Sequence, residues 1–111
     1  MARYKLIAMT SPVSKEREAE YNDWYQNVHL SDVVAIPGIR SAQRFRLAIN
    51  LQEGEVSPYI ALYDIETDDI EGVMKELTAR AGTERMFLTD AMASPQAMVY
   101  QEIGTPVYAK A

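Results

Sequence analysis

Cysteine is absent from the 111 residues, and histidine and tryptophan occur once each, as His29 and Trp24. Without a thiol there is no disulfide framework, no thiolate nucleophile and no cysteine metal site. A single histidine removes the usual zinc ligand sets, and the 16 acidic residues show no recognisable ligand spacing for Mg²⁺. No metal or other cofactor is expected. Long hydrophobic runs are missing as well: the apolar stretches are only a few residues long, against the ~20 that cross a bilayer, so no membrane partner is expected. The start MARYKLIAMTSP is too short and too polar for a signal peptide, which makes a cytoplasmic location the expectation. Positive charge is scarce, with 11 Lys and Arg against 16 Asp and Glu and a net charge of −5. Nucleic-acid binders carry the opposite balance, so nucleic acid is not an expected partner.

Hydrophobic residues make up 48% of the chain and charged residues 24%, the composition of a folded globular protein. The length suits one domain with its own core, spanning residues 1–111. Residues 3–10 (RYKLIAMT) read as a first strand. A helix follows from about Ser14 to Val28, with Ser14 or Ser11-Pro12 as start signals and Glu16 and Glu18 near its positive end. Tyr21, Trp24, Tyr25, Val28 and, one turn on, Asp32 recur at spacings of three and four. The regular face ends near Leu30, Ser31 can cap a second short piece, DVVAI, and Pro37-Gly38 stop it, so two helical pieces with a bend are expected.

Residues 38–49 alternate Ile39, Ser41, Gln43, Phe45 and Leu47 against Arg40, Ala42, Arg44 and Arg46, a long second strand. After a loop at 50–58, residues 57–66 form a third strand that is apolar on both sides for most of its length. The stretch 67–82 is a helix with Asp68 as cap and Glu71 three residues later, ending at Gly82. A loop with a short helical turn fills 83–95, and 96–110 reads as a final strand with an irregular tail. The order strand, helix, strand, strand, helix, strand is the split-βαβ order of ferredoxin-like α+β folds, a four-stranded antiparallel sheet with both helices on one face. The other face would expose the third strand's second apolar side, and a homodimer in which two sheets pack face to face follows as an expectation.

Tyr21, Trp24, Tyr25, His29 and Pro37-Gly38 entering a strand form a pattern that resembles the EthD-like members of the dimeric α+β barrel superfamily. There an aromatic-tryptophan pair, a histidine about one turn later and a Pro-Gly before the second strand recur. Residues 21–38 carry the motif, and the βαββαβ order extends the likeness to the whole chain. Relatives of that fold include cofactor-independent monooxygenases, muconolactone isomerases, polyketide cyclases and haem-dependent enzymes. The resemblance therefore implies fold and dimerisation more than reaction.

His29 is the one side chain whose ordinary pKa, about 6.5, suits proton transfer near neutrality. By position alone it is a helix-terminal residue that caps carbonyls and favours the negative end of the dipole. The resemblance turns it into a general acid or base on a hydrophobic, aromatic or enolisable carbonyl substrate. Trp24 reads first as core; Trp24, Tyr25, Tyr4 and Tyr63 are together the candidate substrate-binding aromatics. Arg40, Arg44 and Arg46 share a strand face, a solvated or rim position, with Arg44 the candidate to fix a substrate carboxylate or enolate. Asp64 in its apolar strand calls for an arginine on the neighbouring strand, and Asp32 either orients the imidazole or caps DVVAI. Isomerisation, cyclisation, dehydration or lyase chemistry and cofactor-free oxygenation all begin with loss of a proton. The alternatives are a haem-ligating histidine and a dimer that only binds a small molecule.

Overall fold

The computed structural model describes all 111 residues. Strand β1 (Ala2–Pro12) leads into a helical stretch made of α1 (Glu18–Trp24), a π-helical turn (Tyr25–His29) and α2 (Leu30–Val34). Strands β2 (Ile39–Arg46) and β3 (Tyr59–Thr67), helix α3 (Ile70–Arg80) and strand β4 (Met92–Gln101) complete the chain. The sheet order is β2-β3-β1-β4 with every neighbouring pair antiparallel, which is the ferredoxin-like α+β arrangement anticipated from the order of elements.

Alternation sorts β3 cleanly. Tyr59, Ala61, Tyr63 and Ile65 are buried against the helices, with Leu6 and Thr10 of β1 on the same face. On the opposite face Ile60 and Leu62 stand beside Met9 and Ile7, and Met98 lies across from Ile7. Phe45 of β2 joins this row next to Ile60 and is 42% exposed, while Tyr100 is 61% exposed. The uncovered side of the sheet thus carries an apolar row across all four strands, flanked by the Lys5–Asp64 pair.

Several boundaries differ from the sequence pattern. In β2, strict alternation groups Ile39 with Ser41 and Phe45. A register shift between Ile39 and Ser41 inserts one residue, so that buried Ile39 shares the helix-facing side with Ala42 and Arg44. One added residue exchanges the two faces because the strand period is two. The strand also stops at Arg46 rather than running to Ile49. Strand β4 begins at Met92, inside the stretch read as a loop, because Met92 and Ala93 pair with Pro12 and Ser11. Ser94, with φ of 51°, takes up the register shift there. Asp64 is exposed on the open face, where it pairs with Lys5 (3.1 Å) and accepts from Ser41 (3.1 Å), so its partner is a lysine and not an arginine.

Helix α3 starts one residue later than the sequence suggests. Asp69, not Asp68, is the cap: its Oδ1 accepts from the Gly72 backbone N–H at 2.9 Å. Gly72 makes this geometry possible, since a Cβ there would come within 2.3 Å of the Asp69 carboxylate. Asp69→Ala is expected to cost about 1 kcal/mol in a urea melt; Asp68→Ala should leave the midpoint nearly unchanged, and the reverse order would refute the assignment.

Candidate functional site

The helical backbone is not interrupted near Leu30. It continues helically through a π turn in which the Leu30 N–H bonds to the Tyr25 carbonyl, one residue further back than in an α-helix. A wider turn shifts every later side chain around the axis. Val28, which the α-helical spacing puts with Tyr21 and Tyr25, is 38% exposed, and Asp32 is not buried. His29 and Val33 take over the sheet-facing positions instead. His29 is therefore a mid-helix residue turned toward the sheet, and the helix-terminal reading of it falls away.

Its imidazole stacks on the Trp24 indole, with centroids 4.5 Å apart and planes 20° from parallel, and meets the Tyr25 ring edge-on at 5.1 Å. Trp24 is core, as its size suggests: its N–H donates to the Phe87 carbonyl at 3.0 Å and ties the helix to the segment before β4. The His29 Nδ1 is buried with no hydrogen-bond partner, so Asp32 does not orient the ring. Burial holds the His29 pKa down at about 4, with the Asp32 charge opposing to a lesser extent. At neutral pH the imidazole is the free base.

A cavity of about 160 Å³ lies between sheet and helices, bordered by Leu6 and Thr10 of β1, Tyr63 of β3 and Val33 of α2. Tyr25 and His29 border it from the π turn, and Leu77, Met92 and Gln96 from α3 and β4. The Tyr63 hydroxyl is buried and has no partner. Burial pushes its pKa far above that of an ordinary phenol, the adjacent Tyr25 phenol adds to this, and the Arg44 charge pulls the other way. Tyr25 is raised mainly by burial too. The Thr10 hydroxyl is engaged by the Tyr21 phenol.

Arg44 reaches the aromatic cluster from the far side. Its guanidinium lies 4.7 Å from the Tyr25 ring centroid, 5.2 Å from that of Tyr59 and 5.6 Å from that of Tyr21. It donates to the Asn22 side-chain oxygen at 2.8 Å, while Asn22 donates to the Tyr59 hydroxyl, which donates to Glu18 at 2.5 Å. Arg44 thus braces the phenol wall from behind, beside a separate polar hollow with Arg46 and Gln26, and is not among the residues lining the cavity. Arg40 and Arg46 are exposed. Tyr4 lies at the other end of β1, beside Ile65, and does not reach the cavity.

Of the candidates read from the sequence, then, His29, Tyr25 and Tyr63 come together at the cavity, Trp24 backs the imidazole, and Arg44 and Tyr4 stand apart. Thr10, Leu77, Met92 and Gln96 also border it. Thr10 had a signal, a hydroxyl on the apolar side of a strand; Met92 had none, because the bulge at Ser94 turns it to the helix side, while Gln96, opposite Met9, keeps its side chain on the open face. No three His, Cys, Asp or Glu side chains cluster as metal ligands, and no helix is long and apolar enough to cross a membrane.

The fold is of the EthD-like, ferredoxin-like α+β type. The chain belongs to the DUF4286 family, a domain of unknown function, whose model matches residues 5–98. Among solved structures, a proposed monooxygenase from Shewanella loihica PV-4 is 18% identical with a TM-score of 0.60, over 95% of this chain and 99% of that one. HapK from Hahella chejuensis is 14% identical with a TM-score of 0.57, over 96% and 99%. An EthD family protein from Bacillus halodurans C-125 is 16% identical with a TM-score of 0.52, over 93% and 100%. At such identities the likeness is one of fold. Core atranone cluster (CAC) protein 1 of Stachybotrys chlorohalonatus is 37% identical over 62 residues, which are 55% of this chain; the match spans only 25% of that longer relative.

Proposed function

We propose that this protein is a small homodimeric enzyme in which His29 removes a proton from a hydrophobic aromatic or enolisable carbonyl substrate. The observation that carries the reading is the buried, unpartnered Nδ1 of a neutral imidazole bordering an apolar cavity. The C–H proton passes to His29, the C–H electron pair becomes the new C=C bond, and the carbonyl π pair moves to oxygen. A low pKa keeps the base unprotonated but makes it weak. The enolate that develops beside it offsets that weakness, since an adjacent anion stabilises the imidazolium. Isomerisation, cyclisation, elimination and cofactor-free oxygenation all open with this step. The presence of a proposed monooxygenase among the structural neighbours supports an enzyme over a simple binder.

A haem reading fits less well. The imidazole is already stacked face to face on Trp24, and a cavity of about 160 Å³ is far smaller than the ~300–1,000 Å³ that drug-sized ligands need.

The dimer is supported by the apolar open face of the sheet around Ile7, Ile60, Leu62 and Phe45, which a second copy related by twofold symmetry would cover. Light scattering at micromolar concentration should give twice the 12.5 kDa chain mass, and a monomer would refute the dimer. For the chemistry, the benzylic protons of phenylacetone should exchange with D₂O faster in the presence of the protein, as followed by proton NMR at neutral pH. Exchange no faster than in buffer, with the ketone bound, would overturn the proton-transfer reading.

A further inference from the structure

We infer that the cavity beside His29 takes an uncharged, single-ring compound carrying one enol, phenol or carbonyl oxygen, and that the Tyr63 hydroxyl is the group that binds this oxygen. The inference rests on the proton-transfer reading of the same site and narrows its substrate.

Size comes first. An apolar cavity of about 150 Å³ holds a benzene ring, and the cavity here is about 160 Å³. One ring with a small substituent fills it; a fused polycyclic compound would have to extend outward past the exposed Pro95, Gln96 and Ala97.

Charge comes second. No Lys, Arg, Asp or Glu borders the cavity. The nearest cation that faces the phenols, Arg44, lies behind their rings with its guanidinium turned to Asn22. The imidazole is neutral at physiological pH. A carboxylate or ammonium entering this space would lose its water and gain no counter-charge.

The polar groups come third. Two buried atoms on the wall lack partners, the Tyr63 hydroxyl and the His29 Nδ1, and Tyr63 is only 1% exposed. The Thr10 hydroxyl is taken by Tyr21, Gln96 is exposed to water, and the Tyr25 phenol stands beside that of Tyr63, so a ligand oxygen that takes the Tyr63 proton competes with Tyr25 for it. A ligand oxygen accepts from the Tyr63 O–H, and a hydroxylated ligand has in addition a proton to share with His29. Burial raises the phenol's pKa, so it stays a donor throughout the neutral and alkaline range in which the base is free. The same hydrogen bond would strengthen as the ligand oxygen gains charge in enolisation.

The test is calorimetric titration of the full-length protein at pH 7 with phenol, toluene and benzoate, which share a ring and differ in oxygen and charge. Phenol should bind roughly tenfold tighter than toluene, as one added hydrogen bond to a buried orphan group allows. Benzoate should bind at least tenfold more weakly than phenol. Tyr63→Phe, which removes only the unpartnered oxygen, should bring phenol down to the affinity of toluene. Benzoate binding as tightly as phenol overturns the inference on the wild-type protein alone, and a Tyr63→Phe variant that keeps the preference for phenol overturns the assignment of Tyr63. Because binding is read without turnover, the expected panel combined with no exchange of phenylacetone protons would refute the proton-transfer reading and leave the ligand class standing.

Discussion

His29→Gln should slow protein-dependent proton exchange by about 10²–10⁴-fold at pH 7, the usual contribution of a positioned general base. Glutamine keeps a polar planar group at the same place and loses only the basic nitrogen. Nothing else at the cavity can replace it. The Tyr25 and Tyr63 phenols are driven further from ionisation by burial, and no carboxylate or amine reaches the space. In the wild-type protein kcat/KM should be level above neutrality and fall only as the pH drops through about 4, where the free enzyme's imidazole takes up its proton. The fall in kcat should lie no higher in pH, because the bound substrate is uncharged and only deepens the desolvation of the imidazole. A glutamine variant that exchanges protons at the wild-type rate would remove His29 from the chemistry, whatever else lines the cavity.

The second large effect is on stability in mild acid. The His29 pKa is about 4 in the folded chain, against 6.5 ordinarily. Between those values the unfolded chain binds the proton and the folded one does not, so stability rises with pH across the window. The contribution is complete above pH 6.5 and is lost as the pH falls from 6.5 toward 4. At about 1.4 kcal/mol for each pKa unit, it amounts to about 3 kcal/mol, a large part of the stability of a small domain. His29→Phe preserves a ring against Trp24 and cannot titrate. Urea melts at pH 7, 5.5 and 4.5 should show a steep loss for the wild-type protein and a nearly flat line for the variant. A second decline at lower pH should persist in both, because Asp90 and Glu20, paired with Arg17, and Glu76, paired with Arg80, hold their pKa values below the ordinary range. Equal slopes for the two proteins between pH 6.5 and 4.5 would show that the imidazole is not buried as described.

Much of the fold was legible in the residues, for a physical reason that differs by element. Strand β3 is apolar at nearly every position because one face packs under the helices and the other belongs to the apolar row on the sheet's open side, and such a strand reads the same in either register. Helix α3 carries its own start signal in an Asp and its own stop in Gly82, so local chemistry bounds it to within a residue or two. The ends of β2 and β4 were not legible, since Leu47–Ile49 and Met92–Pro95 are each compatible with strand or loop and pairing partners elsewhere decide. Among site residues, His29 stood out by rarity and Tyr25 by its spacing from it. The bracing of three phenols by Arg44 had no signal, because the arginine and the tyrosines come from different elements and meet only across the core.

What the sequence by itself determined are the properties that depend on counting and local propensity. These include the absence of thiols, the acidic balance, the βαββαβ order and the single imidazole among aromatics. What only the tertiary structure decided is which way the key side chains face. A π turn adds one residue to the helix between Tyr25 and Leu30, and a bulge adds one to β2 between Ile39 and Ser41. Each insertion leaves composition and spacing untouched, yet rotates everything beyond it: His29 comes to face the cavity in place of Val28, and Arg44 comes to lie beneath the phenols. Periodicity assumes a regular hydrogen-bond ladder. These two departures from it are held in place by packing across the core, which no local stretch of sequence contains.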